Sequence, residues 1–202
     1  MAQETGNESI IARQGNASQG IEEVLDQIAA GLYNLASMLV GEGEEGVRLV
    51  ETAIEASDVS CCADPVRARA NSRLALCQQA IATIARLEPG SLAAPGDVAT
   101  AATCIQDDDL ESAGLSPEEL NRMIAGGDRD RVRQWLEGLS TPVRVIFVLR
   151  AVAGVSAIET AELLAAHAGA DAAGWNEVGV RDYFRRGLCS LASQLIQASA
   201  GR

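Results

Sequence analysis

Near the end of the chain, apolar residues recur at steps of four or three: Val180, Phe184, Leu188, Leu191 and Leu195. That spacing brings all five onto one side of a helix and gives a strand no consistent face, so it predicts a helix from about residue 177. Ahead of it, Ser156 precedes Glu159 by three residues. In that arrangement each side chain satisfies a free backbone amide of the other, which predicts a helix over about 157–166. The outer faces of the last helix carry Arg181, Arg185 and Arg186 with Tyr183. Two helices in this order, the second with an apolar inner stripe and guanidiniums outside, suit a helix-turn-helix whose second helix enters a DNA groove.

The same period runs through the rest of the chain. Val24, Leu25, Ile28, Leu32, Leu35, Ala36 and Leu39 keep to one helical face, which Gly41 and Gly43 end. After an acidic turn, Val47, Val50 and Ile54, with Leu49 and Ala53 beside them, predict a second helix whose outer face carries Arg48, Glu51 and Glu55. A third begins at Asp64 as N-cap with Pro65 at the first helical position, shows a stripe of Val66, Ala70, Leu74, Cys77, Ile81 and Ile84, and stops at Pro89–Gly90. Residues 89–115 hold a second Pro-Gly pair and the acidic run Gln106-Asp107-Asp108-Asp109, and read as a flexible interdomain linker. The run lacks the oxygen-rich loop spacing of a calcium site, so it reads as solvated charge. Ser116 and Glu119 form a capping box for a short helix, and another is expected from about 128 with Val132, Trp135 and Leu136 inside. The apolar run 145–149 suits a buried strand as well as a helix, but Pro142 after a Thr141 cap and the length to Gly154 favour the helix. A long turn, 165–176, carries Trp175 before the last helix. The fold expected is all-α: an N-terminal three- to four-helix bundle, the linker, and a C-terminal helix-turn-helix domain.

The run Leu136, Leu139, Arg144, Phe147, Leu149, Arg150, Gly154, Ser156, Glu159, Ala161 and Leu164, followed by Val180, Arg181, Arg186 and Leu191, resembles the promoter-reading C-terminal domain of bacterial extracytoplasmic-function sigma factors. The resemblance covers roughly the last third of the chain. Residues 1–20, rich in Gln, Asn, Ser and Gly with no apolar core segment, read as a disordered tail, and the resemblance implies a region-2-like domain at 21–88 and a region-4-like domain at 116–202 on either side of the acidic linker at 89–115. It further implies transcription initiation, with RNA polymerase core and promoter DNA as partners and an anti-sigma or other regulatory protein as a further one. Arg181, Arg185, Arg186 and Tyr183 are then the DNA-binding candidates. Residues 46–56 are similar in layout to the helix with which such factors grip the polymerase, making Leu49, Val50, Glu51 and Ile54 the core-binding candidates. The family carries an acidic residue where Arg48 stands and an amide where Glu51 stands. Strand opening in the family relies on aromatic and basic side chains that capture flipped bases. Between Arg67 and Arg86 this chain has four Arg but no aromatic residue.

Charge bears directly on that implication. The net charge is −12, the wrong sign for approaching a polyanion. It is unevenly shared: residues 1–120 hold 6 Arg against 20 acidic residues, or −14, and residues 121–202 hold 10 against 8, or +2. Beyond a Debye length of roughly 10 Å the acidic half is largely screened, so a local basic face can dock with little steering. The alternative is a sigma-like helical interaction regulator that has lost promoter binding. No catalytic set can be assembled around the single His167, so no enzyme and no cofactor are expected. The five cysteines show no CxxC spacing and imply no metal site, and Cys77 and Cys189, on or near apolar stripes, read as core thiols of a reducing compartment. The start of the chain does not read as a signal peptide and no apolar run approaches the roughly 20 residues of a membrane span, so a cytoplasmic protein with no membrane partner is expected.

Overall fold

The computed structural model describes residues 26, 28–57, 64–96 and 104–200, and among these the chain is all-helical, with no strand. In order come α1 (28–40), α2 (Glu44–Glu55), α3 (Pro65–Leu87), α4 (Pro117–Ala125), α5 (Arg129–Glu137), α6 (Thr141–Phe147), α7 (Ala157–His167) and α8 (Glu177–Ala200). No helix among the described residues is long and apolar enough to cross a membrane. The expected tail at 1–20, the apolar positions Val24 and Leu25, and Cys61 and Cys62 lie outside the described residues.

Local chemistry sets the helix ends. Asp64 caps α3, its carboxylate accepting from the Val66 amide at 2.9 Å with Pro65 at the first position, and complete capping boxes open α4 (Ser116 and Glu119) and α7 (Ser156 and Glu159). Gly41 and Gly43, both at positive φ, make the α1–α2 turn. α6 starts differently from expectation. Ser140 occupies its N-cap without a side-chain bond, and the Thr141 hydroxyl instead donates to Glu88 Oε2 at 2.8 Å, tying α6 to the end of α3. The apolar run is helical, as its flanking signals predict, but it widens to a π turn over Val148–Val152 before Gly154 reverses the chain.

One continuous core runs from α1 to α8. α2 lies on α3, α3 meets α7, and α8 packs against both α6 and α7. The stripe on α8 holds, with Val180, Phe184, Leu188 and Leu191 all buried. The stripe on α3 needs correction in its first half. Val66 and Leu74 are exposed, and Ala68, Ser72 and Leu76 turn inward instead. Small residues there suit close packing, and Ser72 is tolerated inside because its hydroxyl donates to the Ala68 carbonyl at 2.8 Å.

Residues 89–96 and 104–115 run along the folded helices. The Trp175 indole N–H donates to the Leu92 carbonyl at 2.9 Å, and Ala94 N–H donates to the Asp171 carbonyl at 2.8 Å. Ile105, Leu110, Ala113 and Leu115 are buried. Arg73 on α3 donates to the Val152 carbonyl at 2.8 Å, and Arg129 and Arg133 on α5 pair with Glu42 of the α1–α2 turn. The first and second halves of the chain are thus held together by backbone, side-chain and apolar contacts.

Candidate nucleic-acid interface

α8 is placed by an aromatic cluster beneath it. Phe147, fully buried, meets Trp135 edge-on with centroids 4.9 Å apart and lies tilted against Phe184 at 5.6 Å. Gly187 makes the approach of α6 to α8 possible, since a Cβ there would sit 2.9 Å from Phe147 Cδ2. At the start of α8, Trp175 packs edge-on against Tyr183 at 5.0 Å and closes the long turn onto the core.

The guanidiniums lie above this cluster, and each has an anionic or carbonyl partner within the chain. Arg181 bonds Glu177 Oε1 at 2.6 Å and reaches Asp108 Oδ1 at 3.4 Å. Arg185 donates to the Gln106 carbonyl at 3.2 Å and has a second nitrogen 3.8 Å from Asp182 Oδ1. Arg186 bonds Asp182 Oδ2 at 2.6 Å and stacks over the Tyr183 ring at 4.5 Å from its centroid. Tyr183 is therefore engaged by both Arg186 and Trp175. Arg150, from the π turn, joins the group by stacking over Phe184 at 5.0 Å and bonding Asp108 Oδ2 at 3.0 Å. Asp182 is 2% exposed, and its Oδ1 has no hydrogen-bond partner.

The acidic run turns out to be part of this arrangement. Residues 104–110 cross α8 as a strap that places Asp108 between Arg150 and Arg181 and the Gln106 carbonyl against Arg185. Asp109 accepts from the Ser112 hydroxyl at 2.6 Å and the Ser112 amide at 2.8 Å, starting the short turn Glu111–Ala113; those bonds hold its carboxyl below the ordinary aspartate range. The expectation of solvated charge is thus corrected for Asp108, while Asp107 and Asp109 are exposed. The Arg181–Asp108 pair, half-exposed on the arginine side, contributes only about 0–1 kcal/mol. The strap also has a covalent attachment. Cys104 and Cys189 are joined as a disulfide across 85 residues, with Cα atoms 5.7 Å apart, which corrects the reading of Cys189 as a core thiol. Two cysteines so far apart in sequence, one inside an acidic linker, carry no spacing signal from which the pair could be read. Cys77 is the buried free thiol expected, and burial pushes it up to about 12 against the opposing charge of Arg73.

The core-binding candidates divide by face. Leu49 and Val50 are buried where α2 meets α3, because the apolar side of a short amphipathic helix is what it packs with. Glu51 is exposed and Ile54 partly buried, so the outer side of α2 consists of Val47, Arg48, Glu51 and Glu55.

Comparison of the chain with protein-family models, with curated proteins and with solved structures finds no match.

Proposed function

We propose that this protein is a sigma-like transcription factor whose DNA-facing helix is held closed by its own acidic strap. The observation carrying the reading is Asp108, a carboxylate shared between Arg150 and Arg181 beside a helix that follows a capped partner helix and a turn. Guanidiniums that donate to carboxylate oxygens donate to phosphate oxygens by the same chemistry, so the strap occupies the places of DNA phosphates. The strap also accounts for a basic helix in an acidic chain: the closed form presents little free positive charge. Core polymerase meets the outer side of α2 through Arg48, Glu51 and Glu55, with Ile54 at its margin, while Leu49 and Val50 support the helix from within.

The second reading, a helical interaction regulator without promoter binding, is favoured by the in-chain pairing of Arg181, Arg185 and Arg186. In vitro transcription with core polymerase separates the two. The first reading expects promoter-dependent transcripts that Arg181→Ala reduces, and a salt dependence of DNA binding equivalent to about 2 to 3 released counterions. Core binding with no transcript and no DNA binding in either redox state would establish the second.

A further inference from the structure

We propose that the Cys104–Cys189 disulfide is a redox latch: while oxidised it fastens the acidic strap over the guanidiniums of α8, and its reduction frees Arg181 and Arg185 to take phosphate. That the uncovered face takes a polyanion rests on the function proposed above; that the strap is latched does not.

The contacts divide the strap's attachments into one that redox chemistry can switch and several that are non-covalent. Past Cys104, the strap is also held by Asp108, paired with the largely buried Arg150 and the half-exposed Arg181, by the Gln106 carbonyl on Arg185, and by the buried side chains of Ile105 and Leu110. Among the described residues the disulfide is the only covalent cross-link, and it lies two positions from the carbonyl that holds Arg185. Its fixed end, Cys189, lies on α8 itself, one helical turn beyond Arg185, so closing the bond places the strap over the helix whose charge it covers.

The pair is built to be opened from one side. Cys104 is exposed, whereas Cys189 is half-buried. The Cys104 amide N–H points at Cys189 Sγ from 3.0 Å. A dithiol reductant attacks Cys104 Sγ, the S–S bond breaks, and Cys189 leaves as a thiolate that this N–H stabilises. The reductant's second thiol then resolves the mixed disulfide. Two protein thiols form, two electrons enter the protein, and the reductant departs as its own disulfide.

The test uses the full chain with Cys61→Ser and Cys62→Ser, so that Cys77, buried, is the only other thiol. Oxidised protein, dithiol-reduced protein and a C104S/C189S variant are compared by peptide-resolved hydrogen exchange and by anisotropy with a labelled DNA duplex at roughly 50 mM salt. Exchange over 104–110 is expected to rise about tenfold or more in the reduced and C104S/C189S proteins alike while the amides of α6 and α8 keep their protection. Duplex affinity rises about tenfold with it, and adding R181A and R185A to C104S/C189S abolishes the gain. Unchanged exchange over 104–110, or a rise spread evenly over the helices, overturns the latch. Local release of the strap with no duplex binding in any state upholds the latch and overturns the DNA reading.

Discussion

Gly187 is where the packing beneath α8 is least tolerant. Replacing it by Ala adds a Cβ 2.9 Å from Phe147 Cδ2 and 3.5 Å from Phe147 Cβ and Cγ. The ring cannot move aside, because it is fully buried with Trp135 at 4.9 Å and Phe184 at 5.6 Å. Forcing an extra methyl into such a site costs about 1–3 kcal/mol, against which Gly→Ala within a helix returns about 1 kcal/mol. The net expectation is a loss of up to about 2 kcal/mol, read by urea unfolding, or a Tm lower by up to roughly 8 °C for a chain of this size. Gly179 supplies the control on the same helix. Its added Cβ would meet the Trp175 ring at an ordinary 3.5 Å, so Gly179→Ala should leave stability unchanged or raise it by up to about 1 kcal/mol. If the Phe147 ring is the cause, Phe147→Leu costs less in the Gly187→Ala background than in the wild type. A Gly187→Ala protein as stable as Gly179→Ala would refute the close approach of α6 and α8.

Three further expectations follow from local contacts. Glu119 and Glu159 both have carboxyls held below the ordinary glutamate range by the Ser116 and Ser156 groups they bond, so the stability they add is present above that range and is lost as pH falls through the lowered values; helix content measured by circular dichroism in acid should fall less steeply for E159Q than for the wild type. Cys77, with its thiol raised to about 12 by burial, should resist iodoacetamide at pH 8 in the folded chain and react at the rate of global unfolding, followed by peptide mass spectrometry. Trp175→Phe keeps the ring against Tyr183 but leaves the Leu92 carbonyl without its donor, and should cost about 1–3 kcal/mol in denaturant unfolding.

What was legible in the sequence was local in origin. The capping boxes at Ser116 and Ser156, the Asp64–Pro65 start and the stripe of α8 depend on residues within one or two turns of one another, and all are found in the structure. The first half of α3 misled because size was read as burial: Val66 and Leu74 are larger apolar residues, yet they are exposed, and Ala68, Ser72 and Leu76 are buried. The environment of the α8 arginines was illegible for a different reason. Asp108 reaches Arg150 across 42 residues and Arg181 across 73, and the disulfide spans 85. No pattern along the chain encodes such pairings, and an acidic run in a Pro-Gly segment has the composition of a solvated linker whether or not it docks.

Asp108 and Asp182, two of the carboxylates among the guanidiniums, are not equivalent, and the difference ranks the arginines. Asp182 lies on α8 itself, 2% exposed, and is paired with Arg186 by a 2.6 Å bond within the helix. No movement of another segment releases that pair, and Arg186 is further committed to the Tyr183 ring. Asp108 sits on a separate segment that can leave without unwinding α8, so Arg181 loses a partner when the strap leaves and keeps Glu177 alone. Arg186→Ala therefore leaves a buried carboxylate facing Arg185 at 3.8 Å and should destabilise the chain by about 1–3 kcal/mol with a small effect on DNA affinity beyond that loss. Arg181→Ala, removing a half-exposed side chain, should change stability by no more than about 0.5 kcal/mol while lowering the affinity of the reduced protein for duplex DNA. Urea unfolding and anisotropy on the same two variants decide the matter; an R186A protein that unfolds with the wild type, or an R181A protein that loses stability and keeps its affinity, would reverse the ranking.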